Sequence, residues 1–190
     1  MKHCPRLGRR AEHRERQSLK MVDALKGWYD FYIAIGTASV TLLGAMFVVV
    51  SIGSGYLTQE KAKDVHLFLT PTVIHMASVM AGCALVLVPT LSWTSMGIAL
   101  GLGSFCGLIY SIRVGTLVGR KQLELSDRFW YAGVPIVAYG VMMAAAFKAY
   151  AGSPASLELL PCALALLLAA GIRNAWDNLI FIVAQSKGPS

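Results

Sequence analysis

Charge is what this chain has least of. Only 14% of its 190 residues are Asp, Glu, Lys or Arg, against about a quarter in an ordinary soluble domain. The deficit is concentrated in uninterrupted apolar runs, which selects a membrane class over a large soluble core. Cysteine is scarce as well. Cys4 lies in a polar tail, while Cys83, Cys106 and Cys162 each fall in a separate apolar run, with no Cys-x-x-Cys pair. That pattern argues against a disulfide scaffold and leaves three thiols that behave as small hydrophobes. The period-two alternation of a barrel strand is missing too. So is any complete catalytic, cofactor or metal motif. Gly101-Leu-Gly103 is half of a dinucleotide fingerprint, without its third glycine or a preceding strand. Ser54, between Gly53 and Gly55 at the end of an apolar run, has no partnered base and reads as part of a turn.

What the chain has instead is hydrophobic length. Five stretches are apolar over 20 residues or more: about Trp28 to Ile52, Val65 to Pro89, Trp93 to Ile112, Phe129 to Tyr150, and Leu157 to Ala184. A helix rises about 1.5 Å per residue, so about 20 residues cross the hydrocarbon of a bilayer. In lipid each backbone amide must be satisfied within its own segment or in a closed barrel. The predicted fold is therefore all-α, an integral membrane bundle of five transmembrane helices over residues 28–185. A basic tail precedes it at 1–27 and a short tail follows at 186–190.

Net charge is +7, and eight of the seventeen Lys and Arg lie in the first 26 residues. Anionic lipid headgroups explain that placement more simply than nucleic acid does. Arg14 to Lys26 has the composition of a helix lying on the bilayer surface. The apolar run behind it is too long for the core of a cleaved signal peptide, so a retained anchor is expected. Counting basic residues on the two faces gives nine with the N-terminus and seven opposite. This favours a cytoplasmic N-terminus by little. A start at Met21 would reverse it.

Polar residues inside the spans are the candidate sites, because charge at membrane depth is costly and usually has a use. The last span carries Arg173, Asn174 and Asp177 close to Trp176. Arg173 and Asp177 are four apart and share a face, so they can pair within one helix, and Asn174 can join them. The cluster reads either as a structural ion pair fixing helix register or as an anionic-headgroup or solute site. In the second span His75 shares a face with Thr72, Ser78 and Gly82. His66 is nine residues away, half a turn round the helix, so the two cannot hold one metal. A hydrogen-bonded interface histidine is the plain reading; a haem ligand, proton relay or quinone contact is the functional one.

The first span shows a stripe of Asp30, Ala34, Thr37, Thr41, Gly44 and Ser51, expected to form a packing seam inside the bundle. Trp28, Tyr29 and Tyr32 at its start are expected at headgroup level. In the third span Gly97 with Gly101, and Gly103 with Gly107, form two small-x-x-x-small pairs suited to close helix contact, within the chain or between copies. Pro135 is positioned to kink the fourth span.

Gly36-Thr-Ala-Ser-Val-Thr-Leu-Leu-Gly44 with Phe47-Val-Val-Val-Ser51 resembles the opening span of small multi-helix bacterial membrane proteins, and Ile172-Arg-Asn-Ala-Trp-Asp177 resembles their closing span. The likeness covers about 30 residues at the two ends. It implies a helical bundle in the bacterial cytoplasmic membrane and carries no activity, cofactor or residue role. The sequence thus leads to a non-enzymatic multi-pass membrane protein, an accessory subunit or a lipid- or small-ligand-binding module. The bilayer, a homo-oligomer or a larger membrane complex are its expected partners. A transporter or channel component with a path through Asp30, His75, Arg173 and Asp177 is the alternative, and a haem- or quinone-associated redox subunit a further one.

Overall fold

Five hydrophobic stretches become five long helices, laid up and down beside one another. The computed structural model describes residue 23 and residues 25–53, 59–120 and 125–186. The expected lipid contacts of the basic tail, the Met21 start, the 54–55 turn and the C-terminal tail beyond 186 lie outside the described residues. Helix α1 spans Tyr29–Gly53, α2 Gln59–Val86 and α3 Trp93–Arg120. A short α4, Leu125–Arg128, runs through a π-helical turn, Phe129–Gly133, into α5, Val134–Tyr150, and α6 spans Ser156–Ser186. Among the described residues there is no strand. Each of the five spans is long and apolar enough to cross a membrane.

Local chemistry sets the joints. Ser92 caps α3, its Oγ accepting from the Ser95 amide at 3.1 Å. Helix α5 ends at Gly152, whose φ of 71° is open to glycine at no steric cost. Across that turn the Ser153 amide donates to Lys148 O at 2.9 Å and the Gly152 amide to Ala149 O at 2.8 Å, satisfying carbonyls the helix would otherwise leave unpaired. Pro135 has no amide to offer Tyr131 O. The turn before it widens, and the Val134 amide reaches back five residues to Phe129 O. The expected perturbation at Pro135 is thus a π-helical turn immediately upstream.

Helix α6 packs on α5, α2 and α1, α3 lies chiefly against α5, and α2 and α3 touch only sparingly. Registers follow from single contacts. An added Cβ at Gly97 would fall 2.6 Å from the Tyr150 nitrogen, at Gly107 2.2 Å from the Tyr139 ring, and at Gly115 3.0 Å from Ala132 Cβ. Helices α3 and α5 are therefore antiparallel and close enough that backbone meets backbone at Gly97. Gly101 sits in ordinary contact with Ala146 at 3.8 Å, whereas Gly103 has nothing within 4 Å. Helices α2 and α6 are antiparallel in the same way, with Gly82 against Leu164 and Gly171 against Met76. Helix α1 runs parallel to α6, Tyr32 Oη donating to Leu157 O at 3.3 Å.

The distribution of side chains is that of a membrane bundle. Phe47, Leu102, Phe105, Val137 and Phe147 are exposed on the outside, while His75, Asn174, Ser104 and Ser111 are fully buried. Water would reverse that arrangement; lipid permits it. Tyr32, in the first turn of its span, is fully buried, while Tyr29 is half exposed. One expectation fails. The stripe on α1 faces outward: Asp30, Ala34, Thr37, Thr41, Gly44 and Ser51 are all exposed. Thr41 and Ser51 donate to their own helix, to Thr37 O and Phe47 O, so these hydroxyls need no neighbour. Ser39, off the stripe, turns inward as Tyr32 does, donating to Met76 O at 2.6 Å.

Candidate functional site

Polar groups gather in one half of the bundle, toward the end where α1 finishes and α6 finishes. His75 lies six residues into its span from Leu69, and Asn174 six residues from Ile180 in the last. At helical rise both are about 9 Å inside the same end. Contacts on either side confirm the shared level. Gly171 meets Met76, and Asn178 Nδ2 reaches Thr72 Oγ1 at 3.4 Å, so Asn174 falls between them opposite His75.

His75 is held by a chain of hydroxyls. Its Nδ1 is 3.2 Å from Tyr139 Oη on α5. Tyr139 donates to Ser78 Oγ at 2.9 Å, and Ser78 donates to Ile74 O at 2.8 Å. The His75 ring also sits against two aromatic rings, Tyr139 at 5.7 Å between centroids and Tyr110 of α3 at 6.5 Å. Helix spacing explains the assembly. Thr72, His75 and Ser78 recur every three residues on α2 and share a face, and α5 lays Tyr139 across it. The Nε2 of His75 and both amide atoms of Asn174 are buried without a partner.

The ion pair of the last span is formed. Arg173 Nη1 donates to Asp177 Oδ1 within one turn of α6. Asn174 does not join it. One residue is 100° on a helix, which turns Asn174 into the bundle and Arg173 toward its flank. Arg173 and Asp177 keep 39% and 28% of their side-chain surface, so the pair is only half submerged. Asp30 is exposed near the opposite end of α1. Because α1 and α6 run parallel, about 25 Å of helix separates its level from that of Arg173. Asp30, His75 and the ion pair therefore occupy three separate places in the bundle.

Two pockets border these groups. A groove of about 570 Å³ runs between α1 and α6, walled by apolar residues such as Leu42, Met46, Val49 and Leu179, with Arg173 and Trp176 on its rim. A smaller one of about 280 Å³ lies where α2, α3 and α5 part. Ser78 and Tyr139 supply its polar wall, and Gly103 one side of its mouth. Among the described residues no three His, Cys, Asp or Glu side chains converge on a possible metal position.

Sequence reasoning did not single out Tyr139 or Tyr110. A signal existed: Tyr139 is ten residues into a span that starts at Phe129 and ends at Tyr150, far from the headgroup belts where tyrosine is common. The hydroxyl that made it worth noticing is answered only by residues on another helix.

These features define a multi-pass helical membrane protein with a buried polar node and a lipid-facing groove. The chain matches no protein-family model, and no curated protein or solved structure matches it significantly.

Proposed function

We propose that this is a non-enzymatic lipid-binding bundle, and that the groove between α1 and α6 takes an acyl chain of an anionic phospholipid. One observation carries the reading: Arg173, whose side chain keeps 39% of its surface, is among the described residues the one charged residue lining a groove of about 570 Å³ that is otherwise apolar. That volume is in the range of small-ligand pockets, and a few placed polar groups on an apolar wall are what orient a ligand in one. Asp177 engages one guanidinium nitrogen. A guanidinium has five N–H donors, so others remain for a phosphate oxygen. The exposed Trp176 indole lies on the same rim, as amphipathic rings do near headgroups.

The test is retention of lipid. The full chain, purified in mild detergent and supplied with equal phosphatidylglycerol and phosphatidylcholine, is weighed intact by native mass spectrometry. Preferential retention of the anionic lipid is expected. Arg173→Gln should reduce the preference by about tenfold, the worth of one charge-assisted hydrogen bond. Asp177→Asn should leave it intact or raise it, since the competing carboxylate is gone. Equal retention of both lipids by the unaltered chain overturns the proposal.

A further inference from the structure

We infer that His75 and Asn174 enclose a water-binding site within the membrane-spanning part of the bundle. Ser78 spends its proton on Ile74 O and Tyr139 spends its own on Ser78 Oγ. Tyr139 Oη can then only accept from the imidazole, which places the ring proton on Nδ1. An uncharged ring with that tautomer presents Nε2 as a bare acceptor, and Nε2 is buried without a donor. At the same level on the facing helix, Asn174 holds two N–H donors and a carbonyl oxygen, fully buried and equally unanswered.

Three orphan atoms at one level of one helix interface are not a stable arrangement in a medium without solvent. They ask for a guest that donates to Nε2, donates to Oδ1 and accepts from Nδ2. Water carries two donors and two acceptor positions, and buried waters characteristically make about three such bonds. No other group of the chain is required. The Asn178–Thr72 contact lies one turn nearer the membrane end. On the other side His75, Tyr139 and Ser78 continue the chain to the pocket between α2, α3 and α5. Water at Nε2 would thus fix the tautomer, and with it the direction of the Tyr139 hydroxyl that the pocket sees.

The experiment is nitrogen-15 NMR of the histidine rings in bilayers, on the full chain with His3→Asn, His13→Asn and His66→Asn so that only His75 reports. The expected result is a ring protonated at Nδ1, an Nε2 resonance displaced as for an accepted hydrogen bond, and transfer of magnetisation from water to the ring. Asn174→Ala, which removes two of the water's three partners, should weaken the water transfer and move the Nε2 resonance toward its non-bonded position; Asn174→Ser serves if the alanine variant fails to fold. An Nε2 resonance at its non-bonded position, a proton on Nε2, or no transfer from water overturns the inference. So does an unchanged Nε2 resonance and water transfer in the Asn174 variant, which would mean that the amide takes no part in the site.

Discussion

The first and last spans are opposites. The first has a mean hydropathy of 2.2, the highest of the five, yet only 11% of it is buried in the protein; the last has 1.7 and is 56% buried. In a water-soluble domain the greasiest helix would be the central one. Here it lies at the edge, and the helix carrying Arg173, Asn174, Asp177 and Asn178 lies at the centre. Lipid removes the hydrophobic penalty for leaving apolar side chains outside, so burial follows packing and polar partners instead. The comparison says which helix organises the bundle. Helix α6 touches α1, α2 and α5, and its polar residues find their surroundings there.

The comparison breaks if paired substitutions on the two helices cost the same. Gly171→Leu should be the most damaging, since its whole side chain would have to displace Met76, which lies against Gly171 fully buried in the core. Overpacking of this kind costs about 3 kcal/mol. Gly44→Leu on α1, with nothing within 4 Å, should leave the unfolding midpoint in SDS near that of the parent. Next comes Tyr139→Phe, which strips the His75 Nδ1 and Ser78 Oγ of their shared partner and should cost about 2 kcal/mol by the same assay. Its α1 counterpart, Thr41→Val, removes a hydroxyl that bonds only its own helix, and little change is expected.

Smaller effects sharpen the picture. Arg173→Leu leaves Asp177 without its partner, but the pair is half exposed, so the loss should be about 1 kcal/mol. Ser39→Ala tests the reverse point, that the polar attachments of α1 to the interior are few and individually weak, Ser39 to Met76 O and Tyr32 to Leu157 O. Losing its bond to Met76 O should cost about 1 kcal/mol or slightly less. Thermal unfolding in nanodiscs would resolve either value. If Ser39→Ala proved costlier than Tyr139→Phe, the peripheral role of α1 would have to be abandoned.

Legibility differed between the fold and the site. Span positions were readable because their length against the bilayer is a property of the chain alone. The predicted fourth span, Phe129 to Tyr150, coincides with the observed one. Arg173 and Asp177 were readable as a pair because four residues of one helix carry their own geometry. The inward face of α1 was not. Small and hydroxylated residues serve equally as a seam or as self-satisfied surface, and Thr37, Thr41 and Ser51 turned out to be surface. Asn174 was assigned to the ion pair, when its neighbours across the interface set it beside His75.

From the order of residues alone came the number of spans, their helical state, and the ion pair within α6. Each is decided by backbone hydrogen bonding and bilayer thickness, which act along the chain. Which helix is central, which stripe meets lipid, and which hydroxyls meet His75 were decided only by tertiary packing. Lipid and protein interior are both apolar, so hydropathy does not distinguish one side of a membrane helix from the other. Only a neighbouring helix with a matching surface does.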